Sequence, residues 1–185
     1  MTTGAAWVSE TLQQLAMYFA AFTGLLLLAS AGHKLFRGRH ARSVIQEFAG
    51  VPRRWSGIAM AIVVLTELAA AVLLWTPAYR GLGAAIAAVL WVGYLLLILR
   101  AIAGDRRDVD CGCSFGAAQT PLGVFQVVRN IALAATAVFV AVVCAKGAAG
   151  PIIVPQVLAA LALLALYGAL DQVMGLQPPR AGEMS

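Results

Sequence analysis

LGAAIAAVLWVGYLLLILRAIA, residues Leu82–Ala103, carries a single charge, Arg100, close to its end. A helix needs about 20 such residues to cross the roughly 30 Å hydrocarbon core of a bilayer. Backbone polar groups must be satisfied inside the segment when lipid surrounds it, so the stretch reads as a helix rather than a strand. Four more runs of the same kind surround it, at about Leu15–Gly32, Ile58–Thr76, Val124–Ala145 and Ile152–Leu170. The composition agrees: 62% of the 185 residues are apolar and 11% charged, with a mean hydropathy of +0.87, against about 45–50% apolar in soluble domains. The expected fold is therefore all-α, a polytopic membrane helix bundle of about five spans (a four-helix core plus one) over residues 1–175. The tail 176–185, with two prolines and a glycine, is expected to be disordered.

The formal charge of +5 does not point to nucleic acid, because the basic residues cluster in loops beside apolar runs, where membrane proteins carry their anchoring charges. Three cysteines are too few for a disulfide-stapled secreted scaffold. The first run lacks a signal peptide's character: Glu10 precedes it without a basic region, and His33-Lys34 follows its small residues. It is read as a retained span. The first loop holds Lys34, Arg37, Arg39, Arg42, Arg53 and Arg54 against Glu47, whereas Arg80 and Lys146 are the only basic residues opposite. By the positive-inside rule the first and third loops are cytoplasmic, the N-terminus lies outside and the C-terminus inside. The short Lys146–Pro151 connection predicts that the last two spans form a tight antiparallel pair. The chain is thus expected in a lipid bilayer, a bacterial cytoplasmic membrane.

Ionisable residues inside spans cost about 2.5–3.5 kcal/mol each at a helix centre, so they are the residues to question. Glu67 lies midway along the second run, and Arg129-Asn130 lies just inside the fourth. Side-by-side packing would let Arg129 satisfy Glu67, as a structural clasp or as part of a proton-handling or ligand site. His33 and Lys34 end the first span and read as snorkelling interface residues. Tyr18, Trp75, Tyr79, Trp91 and Tyr94 read as interface or packing aromatics. Gly24, Gly32, Gly81, Gly83 and Gly93 suit close helix packing or span ends.

The polar loop near 104–123 contains Asp110-Cys111-Gly112-Cys113-Ser114-Phe115-Gly116. Two thiols one residue apart can close into a disulfide or share a soft metal. A Cys-x-Cys disulfide closes a very small ring, gains little loop-closure entropy and is prone to strain. Strain makes it easy to exchange, which suits a relay better than a staple. Gly112 supplies the backbone freedom this ring requires. Arg106 and Arg107 favour a thiolate, and Asp105, Asp108 and Asp110 oppose them. Without a nearby His or further Cys the pair makes an incomplete metal site, so no metal is assigned. Cys144, near the far end of the fourth span, reads as a packing residue.

Val109-Asp110-Cys111-Gly112-Cys113-Ser114-Phe115-Gly116, followed by Val127-Val128-Arg129-Asn130, resembles the methylamine-utilisation protein MauE family within the broader DoxX-like membrane proteins. Ala31-Gly32-His33-Lys34-Leu35 and Leu65-Thr66-Glu67-Leu68 are similar to that group as well, so the resemblance covers roughly residues 15–145. One departure is Ser114, where the resemblance leads one to expect Phe directly after the second Cys. The resemblance implies a membrane partner for a thioredoxin-like protein, acting in disulfide formation or shuffling in an exported enzyme. It does not imply dedication to methylamine metabolism. It does imply work outside the cytoplasmic membrane, whereas the charge count puts the cysteine loop inside. A re-entrant loop, a relay that starts in the cytoplasm, or a different span count would each reconcile the two.

The leading functional expectation is a membrane thiol–disulfide relay, with Cys111 and Cys113 as the exchanging pair and Glu67, Arg129, Asn130 and Gly112 supporting them. Quinone is an admissible electron sink, although no sequence feature marks a quinone pocket. An alternative is a non-catalytic anchor or assembly subunit of a larger membrane complex. A more distant one is a conduit for a thiophilic metal or small molecule.

Overall fold

No proline interrupts the chain from Thr3 to Phe36, and this stretch forms one helix, α1 (Thr3–Phe36), of 34 residues. At 1.5 Å per residue it is about 51 Å long, well beyond the hydrocarbon thickness. The computed structural model describes residues 3–104, 123–145 and 150–175. Cys111, Gly112 and Cys113 fall outside the described residues, as does the expected tail. Residues 7–15 of α1 are exposed, and its packing begins at Ala16, which is fully buried. The apolar run read from Leu15 onward is therefore the packed part of a longer helix.

The first loop is not a loop. α1 breaks at Arg37 (φ −106°, ψ 38°) and a second helix, α2 (Gly38–Ala49), follows at once. It ends at Gly50, whose φ of 67° is the left-handed cap conformation that glycine adopts without penalty. Pro52 then precedes α3 (Arg53–Trp75). Ala41 and Ile45 of α2 pack on Ala31, Met60 and Val64, and Val44 packs on Ile98 and Ala101. Gln46 Nε2 donates to Ser56 Oγ (2.9 Å), which donates to the Arg53 carbonyl (2.9 Å). The helix thus closes one end of the bundle with its apolar face turned in, while Arg39, Arg42 and Glu47 stay exposed.

After a single 3₁₀ turn at Pro77–Tyr79, α4 (Arg80–Ala103) returns across the bundle. α5 (Val124–Cys144) and α6 (Val154–Gly175) complete the chain. Five helices, α1, α3, α4, α5 and α6, are long and apolar enough to span a membrane. α1, α3, α4 and α5 form a four-helix ring, and α6 rests outside it, mainly on α1. This corrects the expected α5–α6 pair: a short connection fixes where α6 starts, but not which neighbour it packs on. Tyr167 of α6 meets Phe22 of α1 edge to face, with ring centroids 6.4 Å apart.

Helices in lipid gain little from hydrophobic burial against one another and instead approach closely through small residues. The core fits that rule, with Ala20, Ala70, Ala71, Ala84, Ala87 and Ala137 at the contacts and Leu27, Leu74, Trp91 and Val140 between them. Large side chains such as Leu65, Val72 and Val89 face outward. Gly83 marks the tightest approach: a Cβ there would lie 2.6 Å from the Leu74 nitrogen and 2.9 Å from the Ala70 carbonyl oxygen. Gly83→Ala is expected to force α3 and α4 apart and cost about 1–3 kcal/mol. Thermal unfolding of the purified protein in detergent measures this, with Gly93→Ala as control because nothing lies within 4 Å of its Cβ position. Equal melting of the two variants would contradict the packing.

Candidate functional site

Antiparallel spans bring the end of α1, the start of α3, the end of α4, the start of α5 and the end of α6 to the side closed by α2. The described helices leave and re-enter at this side too: Gly104 follows α4 and Gly123 precedes α5, flanking the cysteine-bearing segment 105–122. Two buried polar centres lie toward this side.

The first centre is built on Glu67, which has no exposed surface. Its Oε1 accepts three hydrogen bonds, from Lys34 Nζ (2.7 Å), Ser30 Oγ (2.9 Å) and Tyr94 Oη (2.7 Å). Lys34 Nζ also donates to Ser30 Oγ at 2.6 Å and stands 5.5 Å from the centroid of the Tyr94 ring. Ser30 and Lys34 are one turn apart and share a face of α1. Helical side chains lean toward their own N-terminus, so in antiparallel α1 and α3 the Lys34 and Glu67 side chains lean toward each other. Oε2 of Glu67 is buried with no hydrogen-bond partner among the described residues. It is the one position of this carboxylate open to a further donor.

The second centre joins α5 to α6. Arg129 Nη1 bonds Asp171 Oδ1 at 2.7 Å, with both side chains almost fully buried. The guanidinium lies 5.9 Å from the ring centroids of both Phe125 and Tyr167. Next to it, Asn130 Nδ2 donates to the Gln126 carbonyl (2.8 Å), and Gln126 Oε1 accepts the Gly123 N–H (2.9 Å). The residues that follow segment 105–122 are thereby fixed over the first two turns of α5. On its other side, the Gly104 N–H bonds the Arg100 carbonyl at 3.0 Å.

Several expectations change here. Glu67 does not pair with Arg129: each has its own partner, Lys34 and Asp171 respectively. Lys34 does not snorkel to the interface but is 8% exposed and turned inward, because Glu67 outweighs the gain of reaching water. His33, one position earlier, is half-buried. Tyr94, read as a packing aromatic, is a donor to Glu67. Ser30 and Asp171 carried no assignment from sequence. A Ser one turn before Lys34, and the acid directly after the last apolar run, were the available signals. Arg80, counted as a loop charge, is 1% exposed at the opposite end of the bundle. Its Nε donates to the Leu74 carbonyl (3.0 Å), and its Nη1 contacts Met17 Sδ (2.9 Å) and the Gly150 carbonyl (3.1 Å). Cys144 is half-buried at that same end. Among the described residues no group of three or more His, Cys, Asp or Glu is placed to hold a metal ion.

A family model described as methylamine utilisation protein MauE matches residues 12–143, which run from α1 into the last turn of α5. The methylamine utilization protein MauE of Methylophilus methylotrophus is 30% identical over 129 residues, covering 69% of this chain and 68% of that protein. Its namesake in Paracoccus denitrificans is 31% identical over 121 residues, covering 65% of this chain and 64% of that protein. No solved structure matches this chain.

Proposed function

As the chain belongs to the methylamine utilisation protein MauE family, we propose that it is a membrane thiol–disulfide relay in which Cys111 and Cys113 exchange with a thioredoxin-like partner during maturation of another protein. The observation that carries this reading is the Cys-Gly-Cys spacing in a segment joining two spans whose flanking helix ends are pinned. Gln126 and the Arg129–Asp171 pair hold the start of α5, and the Lys34–Glu67 centre ties α1, α3 and α4 together.

The exchange is balanced by two electrons and two protons. In one direction, a thiolate of the pair attacks a sulfur of the partner's disulfide and forms a mixed disulfide, releasing one partner thiolate. The second cysteine then attacks the mixed disulfide, leaving Cys111–Cys113 oxidised and the partner reduced. The reverse direction uses the same bonds. Exposed Arg37, Arg39, Arg42, Arg53 and Arg54 at the α2 end favour that end as cytoplasmic, and the cysteine segment departs from it. A non-catalytic anchor subunit is the second reading, and it draws on the fact that both buried ion pairs join helices of the bundle.

Thiol trapping in intact cells with a membrane-impermeant maleimide, before and after reduction, tests the proposal on the wild type and on Cys144→Ser. The expected result is a fraction of Cys111 and Cys113 that reacts only after reduction, in both proteins. Outside labelling would place the pair on the exported face, and labelling only after lysis would place it on the cytoplasmic face or within the bundle. Full labelling without reduction, under oxidising and reducing growth alike, would leave no disulfide to exchange and turn the assignment to the anchor subunit.

A further inference from the structure

The break between α1 and α2 creates an open cleft of about 490 Å³, lined by Phe36, Arg37, Gly38, Arg39 and Arg42. The three arginines are exposed, and none of their side chains makes a hydrogen bond or ion pair with another described residue. Phe36 is 94% exposed and Leu35 58%, so apolar side chains stand directly beside the guanidinium cluster. The cleft lies where a helix long and apolar enough to cross a membrane ends and the short, arginine-bearing α2 begins.

We propose that this elbow is a binding site for the phosphodiester headgroup of an anionic phospholipid. The reasoning is chemical. A guanidinium presents a planar fork of donors that matches phosphate oxygens, and three of them around one concavity repel one another unless an anion sits between them. Phe36 and Leu35 would be left in water by a soluble anion, whereas a lipid covers them with its acyl chains while its phosphate meets the arginines. A free phosphate uses only half of this surface. Glu47, the exposed acid of α2, lies toward the helix's other end and does not line the cleft.

The experiment is a binding titration of the full-length protein in zwitterionic detergent with fluorescent phosphatidylglycerol, against fluorescent phosphatidylcholine as the neutral-headgroup comparison. Each basic side chain near an anionic lipid surface is worth roughly a fivefold change in affinity. Arg37→Gln/Arg39→Gln/Arg42→Gln is therefore expected to weaken phosphatidylglycerol binding on the order of a hundredfold and to leave phosphatidylcholine unchanged. The matching triple lysine variant, which keeps the charge, should retain most of the affinity and guards against a folding artefact, as does an unchanged melting temperature. Arg53→Gln/Arg54→Gln, at exposed sites outside the cleft, should lose far less. Equal binding of the two lipids, or an equal loss in the Arg53/Arg54 variant, would overturn the proposal. So would displacement of phosphatidylglycerol by inorganic phosphate at comparable concentration, which would make the cleft a free-phosphate site.

Discussion

Lys34→Met is expected to destabilise the bundle by about 3–5 kcal/mol, the usual cost of removing one partner from a buried ion pair. Glu67 would be left as a buried carboxylate with no ion-pair partner among the described residues, and Ser30 and Tyr94 alone do not neutralise it. Lys34→Met/Glu67→Gln should recover most of the loss. The Gln carbonyl still accepts from Ser30 and Tyr94, and no uncompensated charge remains. Reversible unfolding of wild type, both single variants and the double in detergent completes the cycle, and a coupling of more than about 1 kcal/mol is the expected signature of direct contact. If Lys34 instead reached the interface, as an isolated lysine at a span end would, Lys34→Met would be close to neutral and the double variant would simply add. That outcome would remove the first polar centre from any account of the site.

The contrast between those outcomes shows what the sequence did and did not reveal. Span number follows from composition, because hydrocarbon thickness sets the length of each apolar run and leaves little freedom. Helix α2 was not read from the sequence, although a signal for it was present. Ala41, Val44, Ile45 and Phe48 repeat at helical spacing, but the surrounding arginines made the segment look like a loop. The partners of Glu67 and Arg129 were not legible in the same way. Pairing depends on which helices are neighbours and how far they are displaced along their axes, and apolar runs of similar length permit many offsets. Glu67 found Lys34 because α1 and α3 are adjacent and antiparallel, with side chains leaning together. Arg129 found Asp171 because the end of α6 comes beside the start of α5 even though α6 packs on α1. Arg80 misled for a different reason: a residue at a span boundary can fold either way, and here carbonyls of Leu74 and Gly150 draw it inward.

Cys111→Ser and Cys113→Ser are each expected to reduce thiol–disulfide exchange to the uncatalysed level, while Cys144→Ser leaves it near wild type. The chemistry requires this asymmetry. One cysteine must form the mixed disulfide and the other must resolve it, so neither can complete the two-electron transfer alone. A variant that keeps the attacking thiol and lacks the resolving one should accumulate the covalent adduct, which identifies the order of the two residues. Purified protein in detergent, with oxidised thioredoxin as a Cys-x-x-Cys probe and alkylation mass shifts as readout, measures both rate and adduct. Cys144 closes α5, whose 21 residues set it about 30 Å from Val124 at 1.5 Å per residue. Cys144 therefore sits at the end of the bundle opposite the one from which segment 105–122 departs. Gly112→Pro supplies a check that leaves both thiols in place. Fixing φ between the sulfurs restricts the tight ring, so exchange should slow while both cysteines still react with maleimide. Equal exchange in all three serine variants would sink the relay and leave the family's membrane bundle as a scaffold whose thiols are incidental.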